Sequence, residues 1–256
     1  GEVYRALDPS RGQEVALKVI HLERLYDVHK RKKLLRSART ELEAASRIRH
    51  PGVARVLAIG EEADGGVYVT QEYVRGRPLR VVMQELVDPP VPPVATMASR
   101  LAFALEALHE GGVVHRDLKP ENVIVRPDDT PVLVDFGVAH LWPTGEMAEV
   151  AGTLEYMAPE QTRRVPLDGR ADLYALGVIV FEWMVGFRPL RVQGRDLEAW
   201  FQVLRKEPAP RLREFIPDVD ERLDRLVASL LAKRPADRPA TAAAAAEAFR
   251  ALTADA

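Results

Sequence analysis

The sequence predicts an α+β fold in two lobes, a small β-rich lobe with one long helix followed by a larger helical lobe. Strand-like runs separated by turn residues fill the first part of the 256-residue chain. Beyond it helical periodicity dominates, interrupted by a loop-rich centre at residues 111–168. The character changes near Arg75-Gly76-Arg77-Pro78, so we expect the small lobe at residues 1–74 and the large lobe at residues 75–256.

The small lobe is predicted to open with a hairpin. A run of aliphatic and β-branched residues around Val15 follows the turn-forming segment from Asp8 to Gly12. A longer segment then shows an apolar stripe at helical spacing, and His50-Pro51-Gly52 ends it. The predicted order is strands at 3–7 and 13–20, a helix at 29–49, and strands at 53–59 and 67–73.

The large lobe is predicted to be mainly helical. Prolines at positions 89, 90, 92 and 93 close a short helix and open a longer one. Apolar periodicity then predicts helices at about 94–110, 170–187, 196–206, 220–233 and 240–253.

Composition excludes several functional classes. The chain has 36 Lys and Arg against 38 Asp and Glu, a formal net charge of −2 that gives no support for a nucleic-acid partner. It contains no Cys, which excludes disulfides, thiol nucleophiles and Cys-based metal sites. The longest apolar stretch, residues 175–185, is far shorter than the ~20 residues of a membrane span, so we expect no membrane segment in this chain.

A predicted hairpin in the central region concentrates oxygen ligands. Two short β-branched runs, 123–125 and 132–134, flank a segment rich in turn residues. If Val125 pairs with Val132, Asn122 lies opposite Asp135, and Asp117 is only five residues before Asn122. Oxygen ligands of this kind suit Mg²⁺ bound together with substrate phosphates. The alternative is that Asn122 and Asp135 only cap strand ends.

Several motifs in a fixed order carry a resemblance to a known family. They are Val15-Ala16-Leu17-Lys18, the run from His115 to Asn122, Asp135-Phe136-Gly137, Ala158-Pro159-Glu160, and the late segments containing Asp172 and Arg238. They are spread along the sequence, so the resemblance covers nearly all of the chain. The sequence resembles the catalytic domain of the eukaryotic-type (Hanks-type) serine/threonine protein kinases, in a bacterial-like form. The resemblance implies a two-lobed kinase fold that binds ATP and Mg²⁺ and phosphorylates Ser or Thr hydroxyls of proteins, as in bacterial signalling.

The resemblance also implies roles for individual residues. Asp117 and Lys119 would be catalytic, and Asn122 and Asp135 would bind both the metal and the nucleotide phosphates. The rest of the implied nucleotide site consists of Val3, Ala16, Lys18, Glu41, Glu72 and Val74. Glu41 is preferred to Glu43 as the partner of Lys18, because it shares a helix face with Ala38 and Ala45.

Structural roles follow from the same resemblance. Glu160 and Arg238 would form a buried ion pair, Asp172 would hold the backbone at His115 and Arg116, and His115 would pack beneath Phe136. Gln71 would lie at the back of the adenine pocket, where the family usually has an apolar residue or Thr.

The resemblance and the basic run in the small lobe also suggest how the protein is regulated. A phosphate on Thr144 would be received by Arg116, with Glu146 or Glu149 as a permanent negative charge in the alternative case. The basic run from Arg24 to Arg39 is typical of a solvated helix face, although it would also suit an acidic partner or that phosphate.

The resemblance also suggests that the first strand and most of the family's glycine-rich loop are missing before Val3. It further implies self-association for autophosphorylation. We expect the chain to be cytoplasmic, on its own or as the cytoplasmic domain of a membrane-anchored protein. Two other functions remain open: a pseudokinase scaffold, and a kinase-like phosphotransferase acting on small molecules.

Overall fold

The computed structural model of the chain describes residues 2–20, 40, 42–61, 67–136, 154–163, 166–191 and 196–253. Within them a four-stranded sheet precedes a helical region, so the predicted two-lobed α+β fold is confirmed. Some predictions fall outside the described residues, namely those on Glu41, Gly137, Thr144, Glu146, Glu149 and the basic run 24–39.

The small lobe is an antiparallel sheet in the order β1-β2-β4-β3. Its strands are β1 (Glu2–Asp8), β2 (Gln13–Ile20), β3 (Val56–Glu61) and β4 (Val67–Glu72). Residues 42–45 are helical, and Leu42 and Ala45 of the predicted apolar stripe are both buried.

β3 begins three residues later than predicted, because the start of the expected strand pairs elsewhere. Ala54 donates its backbone N–H to the Leu133 carbonyl over 2.9 Å, and Val53 forms a parallel bridge with Leu133. Backbone groups that already have partners in the large lobe cannot also pair with β4. The segment before β3 therefore connects the small lobe to the central hairpin through backbone hydrogen bonds.

The large lobe has six helices in the described part of the chain. They are α1 (Leu79–Glu85), α2 (Val91–Glu110), α3 (Arg170–Val185), α4 (Leu197–Lys206), α5 (Glu221–Leu230) and α6 (Ala242–Ala251). Helix α3 is buried along nearly its whole length and forms the centre of the lobe. None of the described helices is both long enough and apolar enough to cross a membrane.

Helix boundaries depart from the predictions for local reasons. Helix α2 begins at Val91 rather than at 94, because Pro92 and Pro93 lie in its first turn, where a missing N–H removes no intrahelical hydrogen bond. Helix α3 ends before Gly186, whose left-handed φ of 83° favours glycine and stops the helix.

The central hairpin forms, but in a different register from the predicted one. With β5 (Arg77–Pro78), the strands β6 (Val123–Val125) and β7 (Pro131–Leu133) form a second sheet. Val125 pairs with Pro131 and Val123 with Leu133, so the prediction that Val125 pairs with Val132 is wrong by one residue.

The turn of the hairpin explains the shift in register. Arg126 donates its backbone N–H to the Thr130 carbonyl over 3.0 Å, and Asp129 adopts a left-handed φ of 61°. Turn geometry of this kind fixes the pairing of the strands on either side. Val134 therefore donates its backbone N–H to the Asn122 carbonyl over 3.0 Å. Asp135 follows Val134 directly, so it lies at the same end of the hairpin as Asn122.

Candidate active site

The loop between α2 and β6 is held by a buried carboxylate from α3. Asp172 accepts hydrogen bonds from the backbone N–H of His115 over 2.8 Å and of Arg116 over 2.9 Å. These bonds stabilise Arg116 in a left-handed φ of 66°, which is uncommon for a residue other than glycine. The predicted role of Asp172 in holding this backbone is confirmed.

A histidine that the sequence analysis missed completes the Asp172 contacts. His109, at the end of α2, lies with Nε2 2.8 Å from the Asp172 carboxylate. Burial favours a raised pKa for Asp172, but the hydrogen bonds from His109 and the backbone hold that pKa below its ordinary value. His109 stands alone in the sequence with no motif around it, so no local signal identifies it.

The side chains of Asp117, Lys119 and Asn122 converge in this loop. The Lys119 ammonium lies 3.0 Å from Asp117 Oδ2, and Asn122 Nδ2 donates to the same oxygen over 3.0 Å. Asn122 Nδ2 also donates to the Asp117 backbone carbonyl over 2.8 Å. These contacts fix the orientation of the Asp117 carboxylate, which stays partly exposed.

Asp135 connects the hairpin to the small lobe. Lys18, which projects from β2, places its ammonium 3.3 Å from Asp135 Oδ1, and both side chains are largely shielded from solvent. Asp135 adopts a left-handed φ of 60°, directly after β7. The structure therefore brings together Lys18 and Asp135, which are 117 positions apart in the sequence.

The oxygen donors at this end of the hairpin suit a hard cation. Because Asn122 Nδ2 bonds to Asp117, Oδ1 is the Asn122 atom that could ligate a metal, and the Asp135 carboxylate supplies charged oxygen. Among the described residues there is no cluster of three or more His, Cys, Asp or Glu suited to a metal ion. The two residues fit Mg²⁺ that takes its other ligands from phosphate and water, which is the usual way that proteins bind it.

The expected adenine end lies along β2, β4 and the segment after them. Ala16 pairs with Gln71 across the two strands, and Val3 of β1 pairs with Lys18. Glu72, the last residue of β4, donates its backbone N–H to the Arg55 carbonyl over 2.8 Å. Its carboxylate forms an ion pair with Arg126 at 2.9 Å. Gln71 and Val74 are both buried.

His115 is a packing residue, as predicted. Its ring is fully buried and lies edge-on to Phe136 with 6.2 Å between ring centroids. Burial lowers the pKa of His115, and neither ring nitrogen has a hydrogen-bond partner among the described residues. A neutral imidazole without such partners contributes shape and contact rather than proton transfer.

The segment that begins at Ala158 contains an ion pair with Arg238 and one contact with the loop. Glu160 forms the predicted ion pair with Arg238, at 2.6 Å. Gln161, which the sequence analysis did not single out, donates to the Arg116 carbonyl over 2.9 Å and accepts from the Ala158 N–H over 2.9 Å. Its position directly after Ala158-Pro159-Glu160 was the only available signal.

Comparison with known families agrees with this arrangement. The family model described as "Protein kinase domain" matches residues 1–250. The chain belongs to the protein kinase family. The predicted family resemblance is therefore confirmed.

Named relatives of this kinase domain are bacterial serine/threonine-protein kinases. It is 36% identical over 262 residues to "Serine/threonine-protein kinase pkn3" of Myxococcus xanthus, covering 98% of this chain and 46% of the relative. It is 37% identical over 254 residues to "DNA damage-responsive serine/threonine-protein kinase RqkA" of Deinococcus radiodurans, covering 95% and 36%. A third, "Probable serine/threonine-protein kinase PknB" of Corynebacterium glutamicum, is 33% identical over 254 residues, covering 94% and 38%.

All three relatives are named as serine/threonine-protein kinases, which is the type that the sequence predicts, and none of the three names indicates a pseudokinase. The chain spans less than half of the length of each of these three relatives.

Proposed function

We propose that this chain transfers the γ-phosphoryl group of ATP to Ser and Thr hydroxyls of proteins, with the residues at the cleft in the roles expected from the sequence. The observation that carries the proposal is the convergence of charged groups at the hairpin end. Lys18 meets Asp135 at 3.3 Å, and Asp117, Lys119 and Asn122 are joined by hydrogen bonds of 2.8–3.3 Å. Phosphoryl transfer needs mainly positioning and charge neutralisation, which such a set supplies.

In this proposal Asp117 orients the accepting hydroxyl and takes its proton. The hydroxyl oxygen then bonds to the γ-phosphorus while the bond from that phosphorus to the leaving oxygen of ADP breaks. Lys119, held beside Asp117, neutralises charge on the transferring group. Mg²⁺ bound by Asn122 and Asp135 would supply further neutralisation of the phosphates.

The nucleotide is proposed to lie between the lobes. Lys18 contacts the phosphates and is oriented by Glu41, while Val3, Ala16, Glu72 and Val74 surround the sugar and base. We place the boundary between the lobes at residues 74 and 75, where β4 has ended and the chain leads to β5. Because ATP is a cytoplasmic metabolite, the domain is proposed to act in the cytoplasm, on its own or as part of a membrane-anchored protein.

The decisive experiment compares acceptors with the full-length protein and labelled ATP. Three peptides identical except for a Ser, Thr or Tyr acceptor are offered beside an aminoglycoside. We expect Mg²⁺-dependent labelling of the Ser and Thr peptides only, and none with Lys18→Met. Labelling of the aminoglycoside alone would identify the small-molecule phosphotransferase, and no labelling together with intact nucleotide binding would identify a pseudokinase.

Thr144, outside the described residues, carries a separate prediction. We expect the full-length protein to self-associate and to autophosphorylate at Thr144, which would bring about −1.5 to −2 charges toward Arg116. Thr144→Ala should then lower turnover, and Thr144→Glu should restore part of it. Mass spectrometry of the active protein tests this, since an unmodified Thr144 with full activity in Thr144→Ala would favour Glu146 or Glu149 as the permanent charge.

A further inference from the structure

A cavity of about 590 Å³ opens beside Lys119. We call it the flanking pocket. Its charged lining residues are Arg80, Lys119, Glu121, Glu155, Glu182 and Arg188. Because the Lys119 ammonium lies 3.0 Å from Asp117, the pocket begins next to the point where the proposed function places the accepting hydroxyl. A side chain close to that hydroxyl in a protein substrate would therefore enter this pocket.

The three carboxylates of the flanking pocket are bound by arginines of the same chain. Arg80, on α1, forms ion pairs with Glu121 at 2.8 Å and with Glu182 at 3.1 Å. It also donates a hydrogen bond to the Tyr156 hydroxyl, which in turn donates to Glu182. Arg80 is thus fixed by three groups from three different segments.

Arg188 reaches the pocket from the segment that follows α3. It forms an ion pair with Glu155, and its Nε lies 3.7 Å from Glu182 Oε1. Its guanidinium also lies 5.9 Å from the centroid of the Tyr156 ring. Its side chain keeps 32% exposure against 23% for Arg80, so Arg188 is the more accessible of the two arginines.

The charges of the flanking pocket affect how a basic side chain of a substrate would bind there. Three carboxylates beside the reacting hydroxyl would attract a lysine or arginine of the substrate. Arg188 already supplies a guanidinium to Glu155 and Glu182, so an incoming basic side chain would meet a like charge and would have to displace it. An uncharged side chain meets neither penalty.

We propose that Arg188 is a specificity-determining residue, which occupies within the chain the site that a basic substrate side chain would take. It thereby makes the kinase select against Lys and Arg beside the accepting Ser or Thr. This inference rests on the proposed function, because it assumes that protein substrates approach Asp117 past Lys119.

The test is a peptide library in which each position around a fixed Ser is varied, phosphorylated by the full-length protein. Wild-type protein should use peptides with Arg or Lys near the acceptor poorly. Arg188→Ala should raise kcat/KM for Arg over Ala at one such position by about tenfold, the size expected for a charge-assisted hydrogen bond. Arg188→Gln, which keeps a polar side chain of similar length, should show the same shift if truncation to Ala destabilises the fold.

Arg191→Ala is the matched control. Arg191 is three positions further along, lies over the Phe187 ring at 4.3 Å and is not among the residues that line the flanking pocket, so its removal should leave the peptide preference unchanged. A second readout is fluorescence anisotropy of an Arg-containing peptide without ATP, which should bind more tightly to Arg188→Gln than to wild type.

Peptide phosphorylation and peptide binding together distinguish failure of the proposed function from failure of the proposed role of Arg188. Absence of phosphoryl transfer by the wild type would reject the proposed function, while tighter peptide binding by the variant would still support the role of Arg188. Wild-type transfer together with the same peptide preference and the same binding in both Arg188 variants would overturn the inference.

Discussion

Asp135→Asn is expected to reduce kcat for phosphoryl transfer by about 10³-fold or more, while the protein stays folded. Asp135 supplies the only carboxylate that we assign to the metal, and replacing it by an amide removes one negative charge from that position. Asn also adopts the left-handed conformation readily, so the φ of 60° at this position is retained. The measurement is the initial rate of peptide phosphorylation as a function of Mg²⁺ concentration at saturating ATP.

Asp129→Asn is a closely matched control for this prediction. Asp129 lies in the turn of the same hairpin, has a φ of 61° and is exposed to solvent. The same substitution in the same backbone conformation, at the other end of the hairpin, should leave kcat within about twofold, since exposed sites tolerate such changes. Equal turnover in Asp135→Asn and wild type, with both proteins folded by circular dichroism, would contradict the assignment of Asp135 to the metal.

Residues close in sequence gave the most reliable part of the prediction. The hairpin, its apolar strands and the polar residues at one end could be read from the turn residues and β-branched runs around Asn122. Local preferences decide such features, so a single sequence contains the necessary information. The contact between Lys18 and Asp135 was not predicted. The family motifs placed both residues at the nucleotide site, but nothing in the chain between them indicates that they meet.

Other features depend on contacts that no local pattern contains. The register of the hairpin is set by the conformation of Asp129, and a shift of one residue leaves the apolar pattern of Val123–Val125 equally plausible. The late start of β3 depends on Val53 and Ala54 pairing with Leu133, a partner from another part of the chain. Tertiary competition for backbone hydrogen bonds overrides strand propensity there.

The charge pairs of the flanking pocket also could not be predicted from the sequence. Arg80, Glu155 and Arg188 read individually as surface charges, and their residue types are compatible with many arrangements. Only the packing of α1 against the end of α3 and the segment at 154–156 brings opposite charges together. The proposed specificity therefore depends on long-range contacts, whereas the expected chemistry depends on short motifs.

The ion pair between Glu160 and Arg238 is expected to give the largest effect on stability. Arg238 is completely buried and donates to both Glu160 oxygens, over 2.6 and 2.9 Å. It also donates to the carbonyls of Arg170 over 2.7 Å and Ala232 over 2.9 Å. Removing either partner leaves a buried charge without its counter-ion, so Glu160→Ala and Arg238→Ala should each lower the free energy of unfolding by about 3–5 kcal/mol.

Urea unfolding followed by fluorescence measures this effect, because Trp183 and Trp200 lie on helices α3 and α4 of the large lobe. The double variant should cost less than the sum of the single variants, since the second substitution removes a partner that the first has already left unpaired. Arg250→Ala is the control, because its ion pair with Glu247 is exposed and should contribute less than about 1 kcal/mol. Additive losses in the Glu160 and Arg238 cycle would show that the two residues do not stabilise the fold together.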